Sequence, residues 1–302
     1  MSDGNAPAAR TRIEHLWKYA FSFGYSGHVQ DSLRAALRSD GQILCLALTH
    51  SRTPDVPAIA AACGYDAVYV DLEHTTVALE TAAMLCAAAV GAGIFALVRV
   101  PSQEPSLITR ILDAGAAGVI VPHVDSAEEA RAVVLASRFP PVGQRSVAGP
   151  NPVSGYQPRT PAELITVIEE RTAVVVMVET PAAVAAADVI AGVQGLDMIV
   201  VGPHDLTAAM GIYGQFENDA FRAAVRTVAD ACQAHGVAFG IAGIKSLDHL
   251  RWLTDMGLRF ISAGTDIGML TEAATARAKD LRGLSHRRAP EEPTHEDTSK
   301  EN

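Results

Sequence analysis

The sequence predicts an α/β fold, a (β/α)8 TIM barrel, and three observations carry that prediction. Short apolar, β-branched runs alternate with longer amphipathic, Ala-rich segments, the pattern of repeated βα units around a parallel sheet. Eight such runs are present, the number on which a barrel closes. None opens onto a Gly-x-Gly-x-x-Gly loop, which weighs against the competing doubly wound sheet, although periodicity alone does not say whether the sheet closes.

In chain order, strands are predicted at Ile43–Leu48, Ala67–Asp71, Phe95–Val100, Gly118–Pro122, Ala173–Glu179, Met198–Val201, Ala238–Ala242 and Phe260–Gly264. Helical patterns occupy Val77–Val90, Ser126–Ser137, Pro181–Ala191, Asp219–Ala234, Ser246–Met256 and Ile267–Leu281. The uncharged stretch Thr81–Val98 could mimic a membrane span, but Gly91 and Gly93 divide it, and a helix, a turn and a strand explain it better. Between the fourth and fifth strands, Arg138–Pro161 carries six prolines and three glycines around Arg145. A loop of that length is usually functional or disordered, and part of it is expected to reach the C-terminal face of the barrel. Residues 1–30 are read as a flexible N-terminal segment, 31–284 as the barrel domain, and 285–302 as a disordered charged tail.

Composition narrows the function. Apolar residues make up 49% of the 302 and aromatic ones 5%, an Ala/Val/Ile/Leu interior of the kind made by packing helices on strands. With 24 Lys+Arg against 34 Asp+Glu the net charge is −10, which argues against nucleic-acid and anionic-membrane partners, since either needs a basic face. Cys45, Cys63, Cys86 and Cys232 form no CxxC pair and are read as small buried hydrophobes in a reducing compartment. The N-terminus shows no secretory signal pattern, so a cytoplasmic location is expected.

A barrel places reactive groups where its strands end, and five of the eight predicted strands end in suitable residues. Glu179 leaves a fully apolar strand, where a carboxylate is costly unless it is paired or holds a metal. Asp205, after Gly202, Pro203 and His204, either caps a short helix at Leu206–Met210 or joins Glu179 in a hard oxygen site suited to Mg²⁺ or Mn²⁺. Arg99, within an apolar strand, is either a buried partner of Asp71 or Glu73, or a fixed guanidinium that stabilises an oxyanion. Asp71 and His74 are spaced as a dyad in which the carboxylate fixes the imidazole tautomer and the other nitrogen acts as a base; Asp71 capping a turn beside a surface His74 would look the same. His123 and His204 also sit at strand ends, while His15, His28, His50, His235, His249, His286 and His295 are expected to face solvent.

The blocks Val70–His74, Val98–Pro101, Leu112–Ala130, Pro140–Ser146, Val176–Thr180, Val201–Gly211 and Ile261–Asp266 together resemble the HpcH/HpaI family of class II pyruvate aldolases, over about Leu33 to Leu284. This family includes enzymes of the 4-hydroxy-2-oxoheptanedioate and 2-keto-3-deoxy-L-rhamnonate aldolase type. The resemblance implies that Glu179 and Asp205 hold a divalent metal, Mg²⁺ or Mn²⁺ with Co²⁺ a further candidate, and that Arg99 stabilises a pyruvate enolate. It further implies that His74 with Asp71 is the base, and that backbone N–H groups around Gly202, Pro203, His204 and Asp205 take the donor carboxylate, as a helix start can. The chain departs from the family pattern at Met177, where many relatives carry a Gln that touches the donor, and at Ser146, where Gly usually follows Arg145. His123 and Tyr156 add a weaker likeness to the macrophomate synthase branch, in which they would hold a second substrate.

Three activities follow as expectations. The first is reversible aldol cleavage of a 4-hydroxy-2-oxo acid to pyruvate and an aldehyde. The second is oxaloacetate decarboxylation, with or without later carbon–carbon bond or ring formation. The third is an inactive binding barrel, which predicts a missing ligand where Glu179, Asp205, Arg99 and His74 are all present. The resemblance also implies a homotrimer or homohexamer packed through the last helix.

Overall fold

A computed structural model describes residues 32–284, so the two terminal expectations, with His15, His28, His286 and His295, lie outside the described residues. Eight parallel strands close into a barrel in sequence order: β1 (Ile43–Leu48), β2 (Ala67–Asp71), β3 (Phe95–Arg99), β4 (Gly118–Val121), β5 (Ala173–Val178), β6 (Met198–Val201), β7 (Ala238–Ala242) and β8 (Leu258–Ser262). The seam pairs Ile43 with Phe260 and Leu44 with Ile261. The sequence places β8 two residues late because Leu258-Arg259 breaks the apolar run. Arg259 is only partly exposed, with its guanidinium 3.1 Å from Asp40 at the barrel edge.

Side-chain alternation along the strands sorts the core into two layers. Cys45, Tyr69, Leu97, Ile120, Val175, Met177, Met198, Val200 and Phe260 belong to the barrel interior. Leu46, Val68, Val98, Val119, Val176, Ile199 and Ile241 belong to the layer under the surrounding helices. Each fully buried side chain of this size contributes about 1.5–3 kcal/mol. At the N-terminal end the barrel is stoppered by the helix Leu33–Arg38, whose Leu33, Ala36 and Leu37 join the interior cluster; Ser32 caps it by accepting from the Ala35 N–H at 3.0 Å.

The outer helices follow local signals. Ser126 caps Ala127–Ser137, Thr160 and Glu163 form a reciprocal capping box on Pro161–Arg171, and Gly236 ends Asp219–His235 at φ 66°. The single helix expected at Pro181–Ala191 is two, Pro181–Ala185 and Ala187–Ala191, with the break at Ala186. Thr81–Val98 is helix, turn and strand, with Gly93 at φ 75° in the turn, and no helix among the described residues is long and apolar enough to cross a membrane. Cys63 corrects the reading of the cysteines, since it is exposed at the end of Asp55–Ala62 while the other three are buried.

The long insertion does not reach the C-terminal face. Ala127–Ser137 runs antiparallel to the strands and returns the chain to their N-terminal ends, so the loop after it packs there. Arg145 pairs with Asp113 at 2.6 Å, Pro152 lies against Gly115, and Arg171 donates to the Val153 carbonyl at 2.9 Å. Tyr156, exposed and at φ 55°, belongs to this loop.

Candidate active site

The alternation that fills the barrel also builds the site. Positions 67, 69 and 71 of β2 point inward, as do 95, 97 and 99 of β3, and 173, 175 and 177 of β5 followed by Glu179. Asp71, Arg99 and Glu179 are therefore the last inward residues of their strands. Asp71 and Glu179 are buried, and Arg99 nearly so. Arg99 donates from Nε to Asp71 Oδ1 at 3.0 Å and from Nη2 to Oδ2 at 2.8 Å, a bidentate fork, while Nη1 stands 3.2 Å from Glu73 Oε2. Its guanidinium lies 5.8 Å from the Tyr69 ring centre. Burial alone would raise the Asp71 carboxyl, but the Arg99 fork and the backbone N–H groups of Glu73 and His74 hold it below its ordinary value. Burial would lower the Arg99 guanidinium, and its pair with Asp71, together with Tyr69 and Glu73, more than offsets this.

This arrangement corrects the Asp71–His74 dyad. Asp71 accepts from the His74 backbone N–H at 3.4 Å and spends its carboxylate on Arg99, while the exposed His74 imidazole stands 3.8 Å from Glu73. The Asp71 carboxylate is taken by Arg99 on the neighbouring strand, so the one-dimensional spacing did not bring the two side chains together. The alternative read for Arg99, a partner for Asp71 and Glu73, is part of the geometry, and Arg99 still forms a wall of the pocket.

That pocket, about 310 Å³, lies at the C-terminal ends of the strands. Of the predicted residues it gathers His74, Arg99, Met177, Glu179, Gly202, Pro203, His204 and Asp205, and it adds Tyr69, Ala242 and Gly243. Burial raises the Glu179 carboxyl above its ordinary value; the His123 N–H, donating to Oε2 at 3.0 Å, partly opposes this, and the carboxylates of Asp205 and Glu73 add to it. Met177 closes the floor with a thioether, and His204 packs against Gly243 and Phe216. His123 stands beside the pocket, Nε2 3.0 Å from Glu73 Oε1 and Nδ1 3.1 Å from Glu179 Oε2. Tyr156 is placed at the opposite end of the barrel, for the reason given above. His249 corrects the solvent-facing reading: it is largely covered, 2.5 Å from Glu217 and edge-on to Phe216. Tyr69 was missed, and Glu73 was read only as a partner for Arg99, although both lie two residues from Asp71. A larger cavity of about 730 Å³, near Arg226, Asp255 and Arg259, lies at the N-terminal ends of β7 and β8, where no strand delivers a reactive side chain.

A closed (β/α)8 barrel whose C-terminal face gathers an anchored guanidinium and facing carboxylates defines a barrel enzyme. The chain belongs to the HpcH/HpaI aldolase/citrate lyase family, whose model matches residues 46–273. It is 39% identical over 243 residues to a 4-hydroxy-4-methyl-2-oxoglutarate aldolase of Hapsidospora irregularis, covering 79% of this chain and 90% of that one. The crystal structure of an HpcH/HpaI aldolase from Desulfitobacterium hafniense superimposes with a TM-score of 0.80 at 28% identity, over 85% of this chain and 99% of that one. Macrophomate synthase, at 24% identity, TM-score 0.68 and coverage of 84% and 92%, shares the fold. The protein is thus an enzyme of the aldolase class, a carbon–carbon lyase.

Proposed function

We propose that the protein is a divalent-metal-dependent aldolase that reversibly cleaves a 4-hydroxy-2-oxo acid to pyruvate and an aldehyde or related carbonyl compound. One observation carries this reading: Glu179 and Asp205 share a pocket with the Asp71-anchored guanidinium of Arg99. The residues fit a cation. Both donors are hard carboxylate oxygens, the second carboxylate helps push the Glu179 carboxyl upward, and the missing Cβ of Gly202 is what lets the Glu179 carboxylate lie where it does, since a side chain there would collide with it. Glu179 and Asp205 would hold Mg²⁺, Mn²⁺ or Co²⁺, and such a cation supplies electrophilic polarisation of the 2-oxo group when bound. The name of the Hapsidospora relative, whose substrate is itself a 4-hydroxy-2-oxo acid, supports the substrate class.

Cleavage breaks the C3–C4 bond. His74 takes the 4-hydroxyl proton, C4 becomes the carbonyl of the departing product, and the bonding electrons move to C3 and onto the 2-oxo oxygen, where Arg99 meets the developing charge. Protonation at C3 then gives pyruvate. Backbone N–H groups at the start of the helix Pro203–Ala209 take the donor carboxylate, and Met177 contributes shape without a hydrogen bond. Chelation with EDTA should abolish turnover and added Mn²⁺ should restore it, with Glu179→Gln and Asp205→Asn losing metal affinity and turnover together. Full activity in EDTA would remove the metal from this reading.

Oxaloacetate decarboxylation shares the electron sink but has no hydroxyl to deprotonate. His74→Ala should therefore lower retro-aldol kcat by about 10²–10⁴ and spare decarboxylation by at least an order of magnitude by comparison. Equal losses on both substrates would show that His74 does not serve the hydroxyl. A ring-forming reaction in which Tyr156 joins His123 within one chain is disfavoured by the position of Tyr156 on the base loop.

We infer a homotrimer or homohexamer packed through the C-terminal helix Asp266–Arg282, which has no buried residue and exposes Ile267, Met269, Leu270 and Leu281. Removing residues 285–302 should leave the assembly intact and removing 267–302 should dissolve it, as read by light scattering. A monomeric full chain would contradict it.

A further inference from the structure

His123 has no task in the proposed cleavage, yet its surroundings hold it closely. Its backbone is left-handed at φ 55°, a region that a non-glycine residue enters only where the structure around it insists. In that conformation its N–H donates to Glu179 Oε2 at 3.0 Å, and the ring turns back over the same carboxylate, Nδ1 3.1 Å from Oε2. The other ring nitrogen stands 3.0 Å from Oε1 of Glu73, a buried carboxylate whose Oε2 accepts no hydrogen bond among the described residues. The Gln103 side-chain amide donates to the His123 carbonyl at 3.1 Å and steadies the peptide from behind. Asp71, Arg99, Glu73, His123 and Glu179 thus form one ladder across the ends of β2 to β5 in which acidic and nitrogen-bearing side chains alternate. Both contacts that His123 makes with Glu179 fall on the same oxygen, Oε2. The other, Oε1, accepts no hydrogen bond among the described residues and lies in the space that Gly202 leaves open.

We propose that His123 is a positioning residue whose imidazole, braced by Glu73, pins Oε2 of Glu179 and so presents Oε1 to a divalent cation. The proposal deepens the preceding reading and rests on it. It assigns His123 a contact with the ligand carboxylate rather than with a second substrate. Partners that orient a ligating side chain typically change metal affinity by about 10–100-fold when removed.

His123→Gly separates this role from simple packing. Glycine enters φ 55° without strain and keeps the backbone N–H, so the variant loses only the imidazole. Metal-stripped full-length protein is titrated with Mn²⁺ by calorimetry, and its melting temperature is recorded without and with the ion. The expected result is a metal-free melting temperature equal to or above that of the parent, together with Mn²⁺ affinity lowered about 10-fold or more. Glu73→Gln, which leaves the ring but weakens its brace, should lower affinity by less than His123→Gly. Mn²⁺ affinity unchanged in His123→Gly, with the parent binding Mn²⁺, overturns the positioning role alone. Melting temperature and affinity falling together overturn it as well, since that is what a merely structural residue would do. A parent protein that binds no Mn²⁺ overturns the metal reading itself.

Discussion

Arg99→Lys should lower kcat by about 10²–10³, equivalent to roughly 2.7–4 kcal/mol of transition-state stabilisation. The size follows from geometry rather than charge, because the charge is kept. In the parent, two of the three guanidinium nitrogens are locked on Asp71 at 2.8 and 3.0 Å and the third stands 3.2 Å from Glu73, with the Tyr69 ring alongside. The plane of the guanidinium is therefore set before substrate arrives, and no reorganisation is needed as negative charge grows on the 2-oxo oxygen. A lysine ammonium is a compact point charge on a flexible stem, and it can satisfy Asp71 or face the substrate but cannot do both with fixed geometry. Stability falls in the same variant because Asp71 loses half of a buried fork. Rates are accordingly compared well below the melting temperature on protein shown to be folded. The decisive quantity is kcat at saturating substrate. If it holds while only the melting temperature drops, Arg99 serves Asp71 and Glu73 and does not touch the chemistry.

Arg99 and its neighbours also show which parts of this molecule were legible in the sequence. The barrel was, because short apolar runs such as Ala67–Asp71, Phe95–Arg99 and Ala173–Glu179 alternate with helical segments, and the polar residues on which those runs end mark the rim. That one pattern places Asp71, Arg99 and Glu179 on the rim, and the turn Gly202-Pro203-His204 brings Asp205 beside them. Which of the candidate pairings forms was not legible. Which carboxylate Arg99 takes depends on β2 and β3 lying side by side with Asp71 opposite Arg99, and strand register is a property of the closed sheet. The Asp71–His74 dyad failed for this reason: local spacing proposed one partner and the neighbouring strand supplied another. Glu73, read from the sequence only as a partner for Arg99, is also the partner of His123. The left-handed backbone at His123, by contrast, has no signature in Val121-Pro122-His123-Val124 and arises from the meeting of β4 with the end of β5. The base loop around Tyr156 was misplaced because its prolines announce an irregular segment without saying at which end of the barrel it lies. The direction of the helix before it settles that.

The N-terminal end of the barrel carries the largest expected effect on stability. Arg138 is fully buried and donates to the carbonyls of Gly195 at 3.2 Å and Thr172 at 2.8 Å, to Glu169 Oε2 at 3.1 Å, and to Asp197 Oδ2. Asp197 in turn accepts from the Val174 N–H at 2.9 Å and from Arg34 Nε at 2.8 Å, so one carboxylate ties the start of β5 to β6 and to the helix that stoppers the barrel. Burial pulls the Arg138 guanidinium below its ordinary value, while Asp197 and Glu169 oppose this. Taking the cation out of water is therefore costly, and its partners are what make the site tolerable. Arg138→Met keeps much of the volume but leaves Asp197 with only the partly exposed Arg34 and the more distant, exposed Arg38, and leaves two carbonyls without a donor. A loss of about 3–5 kcal/mol is expected, which for a domain of this size lowers the melting temperature by roughly 6–20 °C. Adding Asp197→Leu to Arg138→Met should recover part of that loss, because much of it is the cost of an unpaired buried carboxylate. The Michaelis constant of surviving folded protein should be unchanged, since the network lies at the far end of the barrel from Glu179 and Asp205. Thermal and urea unfolding of the two variants decide the matter. A drop of less than about 2 °C in Arg138→Met, or a double variant no more stable than the single, would mean that water or backbone adjustment replaces the guanidinium and that the base of the barrel is held by its apolar stopper alone.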